Sequence, residues 1–172
     1  INDLAVSDPY PSVIDVSDLV GDVESVRVEL NNLAHGYPDD IDLVLVAPDG
    51  TKVMLMSDAG GSTPVTNVVL TFAQTGGNPV SDLGPLATAT VRPANYDISN
   101  DPFAGGPTAP YETDLGKFAG KTAKGQWKLY AVDDTRQDAG SIGSWALYIS
   151  TKPRIEGLAN QSIKEDEQFA AP

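Results

Sequence analysis

Two segments near the end of the chain constrain its fold more than any other feature. Gly125-Gln-Trp-Lys-Leu-Tyr-Ala-Val-Asp-Asp134 carries apolar residues at Trp127, Leu129 and Ala131. Gly140-Ser-Ile-Gly-Ser-Trp-Ala-Leu-Tyr-Ile-Ser150 carries them at Ile142 and then, one residue out of step, at Trp145, Leu147 and Ile149. A period of two marks a β-strand that buries one face. The slip at Gly143-Ser144 would turn that face outward, so a β-bulge is expected there. Between the two segments lies Asp133-Asp134-Thr-Arg-Gln-Asp138-Ala-Gly140, a turn crowded with carboxylates. Such a loop on a sandwich edge points to a metal-binding accessory module rather than to a catalyst.

The rest of the chain keeps the same rhythm. Val26–Leu30 alternates, and Ile41–Ala47 is continuously apolar, as a central strand covered on both faces would be. Pro48-Asp-Gly50 is a turn signal, and Lys52–Ser57 returns as the hairpin partner. Asn67–Phe72 and Ala87–Arg92 are further strands, and residues 1–22 are polar and Pro-rich. Gly (16) and Pro (13) interrupt every run before a long helix can form, which predicts an all-β sandwich or barrel. Residues 75–118 are mostly loop, and a loop that long is expected to pack across the sandwich surface. At 172 residues the chain is one domain with something appended: a sandwich over 1–151, then a change of texture over 152–172. That last stretch reads as a linker into a following unit or as a disordered tail.

Charge excludes partners. At −13 the chain lacks the clustered Lys and Arg that phosphate backbones need, so nucleic acid is not a partner, and anionic membrane surfaces repel it. No run is long and apolar enough to insert into a membrane as a helix. With no cysteine there is neither a disulfide framework nor a thiolate metal site. The opening Ile1-Asn-Asp suggests a segment excised from a longer protein.

The chemistry that remains is that of carboxylates. Calcium takes six to eight oxygens at about 2.3–2.6 Å, several of them from Asp or Glu. The candidate ligands are Asp40, Asp42, Asp58, Asp133, Asp134 and Asp138. Asp40 and Asp42, two residues apart, are expected on one strand face, where a cation would relieve their repulsion. Loop aspartates also cap turns by accepting backbone N–H groups, and both readings stand. Trp127 and Trp145 are expected in the core, each indole N–H with a partner, rather than as a sugar platform. Tyr10, Tyr37, Tyr96 and Tyr111 fall in turns or loops and are the better candidates for an exposed contact. A Ser-His-Asp triad would have to use His35, the single histidine, and no Gly-x-Ser-x-Gly elbow presents a nucleophile.

The run His35-Gly-Tyr-Pro-Asp-Asp40-Ile-Asp-Leu-Val-Leu-Val-Ala-Pro48-Asp-Gly50-Thr51 resembles the P domain (Homo B domain) of kexin- and furin-type proprotein convertases. The late pattern matches as well, at Gly125/Trp127 and at Gly140/Ile142/Trp145/Leu147. Asp8-Pro-Tyr-Pro-Ser12, Ser57-Asp-Ala-Gly-Gly61 and Leu115-Gly-Lys-Phe-Ala-Gly120 are similar to the bacterial secreted branch. The resemblance covers about residues 7–151. It implies a jelly-roll β-sandwich without catalysis, beside a subtilisin-like protease domain that it stabilises, in a secreted or cell-surface protein. It implies a structural hydrogen-bonding role for His35, and some relatives bind calcium. Ala73-Gln74-Thr75-Gly76 departs from the pattern, which is usually acidic there. The tail is similar to the start of an Ig-like or cadherin-like repeat. The expected function is therefore that of an accessory module acting on neighbouring domains of its own polypeptide. The alternative is an adhesion module for a glycan or protein ligand.

Overall fold

The computed structural model describes residues 1–97 and 102–152. The expected tail lies outside the described residues except for Lys152, which ends the last strand. Among the described residues eleven strands form two sheets. Sheet A holds β1 (Ala5–Val6), β2 (Ser12–Val16), β4 (Ile41–Val46), β5 (Lys52–Ser57), β8 (Ala94–Asn95) and β9 (Gly125–Asp133). Sheet B holds β3 (Asp22–His35), β6 (Val65–Ala73), β7 (Ala89–Val91), β10 (Gly140–Ser141) and β11 (Ser144–Lys152). The spatial order in sheet A is β1-β9-β4-β5-β8, with β2 also on β9; in sheet B it is β10-β3-β6-β7, with β11 also on β3. The inner faces meet over one apolar core drawn from both sheets, and the fold is the β-sandwich that the alternation predicts.

β4 is the covered central strand, flanked by β5 and β9 with Ile41 to Leu45 all buried, and β5 is its hairpin partner. Two strands run further than their alternation suggests. In β3 the inward residues are Val26, Val28 and Leu30, but then Leu33 and His35, so the period breaks between Leu30 and Leu33. Asn32 at φ 54 takes up the extra residue, and the register against β6 shifts there. β6 does the same at Asn67, φ 56, which keeps Val65 facing in alongside Val68, Leu70 and Phe72.

The segment after β9 differs from the expectation of one bulged strand. The chain leaves the sheet at Ile142-Gly143 and re-enters as β11, so the slip separates two strands that pair the same edge of β3. β9 and β11 also lie in different sheets, which makes the acidic turn between them a crossing from sheet A to sheet B. Within the Pro-rich residues 1–22, β1 and β2 pair β9 antiparallel, strands the composition did not reveal.

The long loop packs across the outer face of sheet A, as expected. Phe103 and Tyr111 settle on Val44, Met54 and Val132, joined by Tyr10 and Tyr130, to make a second apolar cluster. The Met54 N–H donates to the Glu112 carbonyl at 2.8 Å, and the Lys52 ammonium donates to the Thr108 carbonyl. Tyr10 and Tyr111 are thus packed rather than presented. Tyr37 and Tyr96 are exposed, at 38% and 43%. Trp127 is fully buried and donates to the Ala123 carbonyl at 2.9 Å, edge-on to Phe118. Trp145 is half-buried and donates to Ser12 Oγ at 2.9 Å, joining the two sheets.

Candidate functional site

The acidic turn leaves β9 at Asp133, between β1 and β4, with Asp133 opposite both Ala5 and Ile41. Across from it, β3 ends at His35, and the chain turns through a 3-10 segment, Pro38–Asp40, before entering β4. The Asp134 N–H donates to the Asp40 carbonyl at 3.1 Å and ties the two turns together. One end of the sandwich therefore gathers residues from β3, β4 and β9.

His35 and Asp133 form its buried hinge-pin. His35 Nε2 lies 3.1 Å from Asp133 Oδ2, with both side chains fully buried. Nδ1 lies 2.8 Å from the Tyr37 carbonyl oxygen and 3.1 Å from the Tyr37 N–H, donating to the one or accepting from the other according to tautomer, while Nε2 faces the carboxylate. Asp133 Oδ1 also accepts the N–H of Thr135 at 3.2 Å and of Leu4 at 3.4 Å. A Cβ at position 140 would collide with the His35 ring and the Ala34 carbonyl oxygen, so only glycine lets β10 close over the imidazole. His35 thus takes the hydrogen-bonding role implied for it, and Asp133 is saturated by structural partners.

Asp40 sits differently. It is 7% exposed, and among the described residues no hydrogen-bond donor reaches its side chain. Burial, followed by the charges of Asp133, Asp134, Asp138 and Asp39, pushes its pKa up to about 7. Asp58 is raised too, by burial first and then by Asp134 and Asp97, despite the Ser57 hydroxyl donating to its Oδ2 at 2.7 Å. Asp39 is raised by burial and by Asp58 and Asp82, partly offset by the Gly61 N–H. Among the described residues no Lys or Arg forms an ion pair with Asp39, Asp40 or Asp58. Asp39, Asp40 and Asp138 line an open depression of about 380 Å³ together with Tyr37, Arg136 and Gln137.

The structure thus brings Asp40, Asp134 and Asp138 to one place, beside Asp133, with Asp58 at its margin. It separates Asp42. Asp40 belongs to the 3-10 turn rather than to the strand, and Asp42, 2% exposed, faces the outer side of sheet A with Val44 and its cross-strand partner Val132. The expectation that Asp40 and Asp42 share a strand face is corrected accordingly. Asp39 was not among the expected residues, although its place beside Asp40 in Pro38-Asp-Asp40 was the available signal. Among the described residues no three His, Asp or Glu side chains already stand at distances that would hold a metal ion. The donor set still fits a hard cation: all oxygen, no ion-paired Lys or Arg among the described residues although Arg136 lines the same depression, and one carboxylate, Asp40, that accepts no hydrogen bond there.

No protein-family model matches the chain, and no curated protein matches it. Among solved structures the chain is similar to the serine protease of Aeromonas sobria, at 19% identity and a TM-score of 0.40 over 85% of this chain. It is also similar to a chain in the complex of that protease with its chaperone, at 19% identity and a TM-score of 0.41 over 85% of this chain. In both cases the chain spans 24% of the other chain's length.

Proposed function

We propose that this chain is a non-catalytic accessory module of a secreted or cell-surface protein, a P-domain-like sandwich that stabilises or positions a neighbouring domain. Its acidic end is held closed by calcium. The observation that carries this reading is Asp40, a residue 7% exposed whose side chain accepts no hydrogen bond among the described residues and which stands among four other carboxylates. A group so placed costs stability whenever it is ionised, and a cation removes that cost. Asp40, Asp134 and Asp138 are the proposed side-chain ligands, with Asp58 able to contribute from the margin. Asp133 supports them from behind through His35. Both ring nitrogens of His35 are engaged by Asp133 and Tyr37, which favours a structural use of the lone imidazole over a catalytic one. The sequence resemblance makes a subtilisin-like serine protease domain the proposed neighbour.

The test is thermal melting in calcium and then in chelator, for the parent and for Asp40→Asn. Calcium at about a hundred times its Kd should raise the parent's midpoint by several degrees, the equivalent of about 2.7 kcal/mol. Asp40→Asn should melt higher than the parent in chelator and respond little to calcium. A parent midpoint indifferent to calcium would remove the metal from the proposal.

One observation favours a second reading, that of a glycan-binding adhesion module. Tyr96, 43% exposed, borders an open groove of about 470 Å³ shared with Arg92, Asn95, Tyr111 and Glu112. An aromatic face beside planar polar groups suits a sugar. Binding on a glycan array that disappears in Tyr96→Ala would support it; an array without signal would dismiss it.

A further inference from the structure

The two sides of the sandwich are finished differently. On the β7/β8 side the edge strands are short, three and two residues, and loop residues Val80 and Leu86 are buried against the core. On the other side β11 is nine residues long and, among the described residues, pairs with β3 alone. The far edge of β11 therefore offers a row of backbone donors and acceptors, the arrangement that recruits another strand. The apolar seam beneath that edge is incompletely covered. Ile142, Trp145, Leu147 and Ile149 pack on the core yet stay only partly buried, as do Val16 and Leu19 opposite, whereas Val91 is the one such residue from the β7 side.

The chain itself shows that this edge accepts backbone. Ile1 bonds Gly140 in both directions, its backbone nitrogen donating to the Gly140 carbonyl at 2.9 Å and its carbonyl accepting the Gly140 N–H at 3.2 Å. That covers β10; among the described residues no strand pairs the far edge of β11.

We propose that β11 is a self-association surface: two copies of the chain pair β11 with β11, antiparallel about a two-fold axis at Tyr148, so that sheet B runs through both. The charge distribution argues for a second copy as the occupant. From Gly140 to Lys152 there is no carboxylate, in a chain with 24 Asp and Glu, and the single charge of β11, Lys152, lies at its end. The carboxylate cluster lies beyond β10, past the other end of β11. Antiparallel pairing sends the two acidic ends in opposite directions, roughly 30 Å apart along nine residues, against a screening length of about 8 Å. The net charge of −13 consequently does not oppose the contact. The same axis sets Leu147 opposite Ile149 and Ala146 opposite Ser150, a self-complementary patch with no like charges facing.

The experiment is sedimentation velocity of the purified chain over a concentration series. The parent's mass should climb from 18.1 kDa towards twice that value. In the double variant Ala146→Lys/Ser150→Lys both new side chains lie on the outer face of sheet B and only the exposed Ser25–Ser150 hydroxyl contact is given up, so the melting midpoint should move by no more than a few degrees. Lysine would then face lysine across the axis twice, and dimerisation should weaken about tenfold or more. Hydrogen exchange provides a readout that needs no variant: amides of β11, but not those of β7, should slow as the parent is concentrated. A parent that stays at 18.1 kDa at its highest soluble concentration overturns the proposal. So does a folded double variant that dimerises as well as the parent, or exchange in β11 that ignores concentration.

Discussion

At Asp40 two costs add, loss of hydration and four like charges, and their combined sign can be tested. The folded chain holds this proton up to about 7, whereas an unfolded chain releases it near 3.8. The stability associated with the protonated group is complete below that lower value and is lost as the pH rises through the upper one, a change of about 2–4 kcal/mol. In chelator, the parent's melting midpoint should therefore fall on going from about pH 5 to about pH 8, and Asp40→Asn should flatten that profile. Parallel profiles for the two proteins would show that another group is responsible. His35 makes a prediction of the opposite kind. Removing it in His35→Ala leaves the Asp133 carboxylate buried without its imidazole donor, and denaturant unfolding should register a loss of about 3–5 kcal/mol. A loss under about 1 kcal/mol would mean that the Thr135 and Leu4 amides hold Asp133 unaided.

Among the strands, the two tryptophans separate a core role from a seam role. Trp127→Ala empties the centre of the core beside Phe118 and should cost about 3–5 kcal/mol in chemical denaturation. Trp145→Phe keeps a ring at a half-covered site and gives up one hydrogen bond, to Ser12 Oγ, so its cost should stay near 1 kcal/mol. Equal losses would contradict the difference in burial. Much of this was legible beforehand: β4 and β5 follow from an unbroken apolar run and its return after the Pro48-Asp-Gly50 turn, and β9 from alternation. A strand covered on both faces is apolar throughout, and one covered on a single face is apolar at every second residue. Where the pleat is interrupted, the pattern hides the strand. β3 reads as ending at Leu30 because Asn31-Asn32 inserts a bulge, and an Asn at positive φ cannot be told from a loop Asn by composition. β2 was hidden for another reason. Its Val13 and Asp15 face outward on an edge strand, so the signal rests on three half-buried positions in a Pro-rich stretch. The acidic site was legible in kind but not in membership. Asp133, Asp134 and Asp138 share one short turn of the sequence, but whether Asp40 or Asp42 joins them depends on a 3-10 turn that takes Asp40 out of the strand.

For the whole molecule, the distribution of charge matters more than its sum. Carboxylates concentrate where β9 crosses to β10, and the neutral β11 edge lies away from them, so one end of the sandwich is under electrostatic load while the seam is under hydrophobic load. The crossing that bears the electrostatic load also contains an exposed arginine, Arg136, two residues from Asp134 and two from Asp138. A loop that must hold its shape against its own charge is a natural place for a protease to enter. Limited trypsinolysis followed by mass spectrometry should therefore show a cut after Arg136 that is fast in chelator and slowed several-fold by calcium, as expected where local opening sets the rate. A cleavage rate unaffected by calcium would break the link. The acidic crossing would then double as a durability control: intact wherever divalent ions are plentiful, and the first point of digestion wherever they run short.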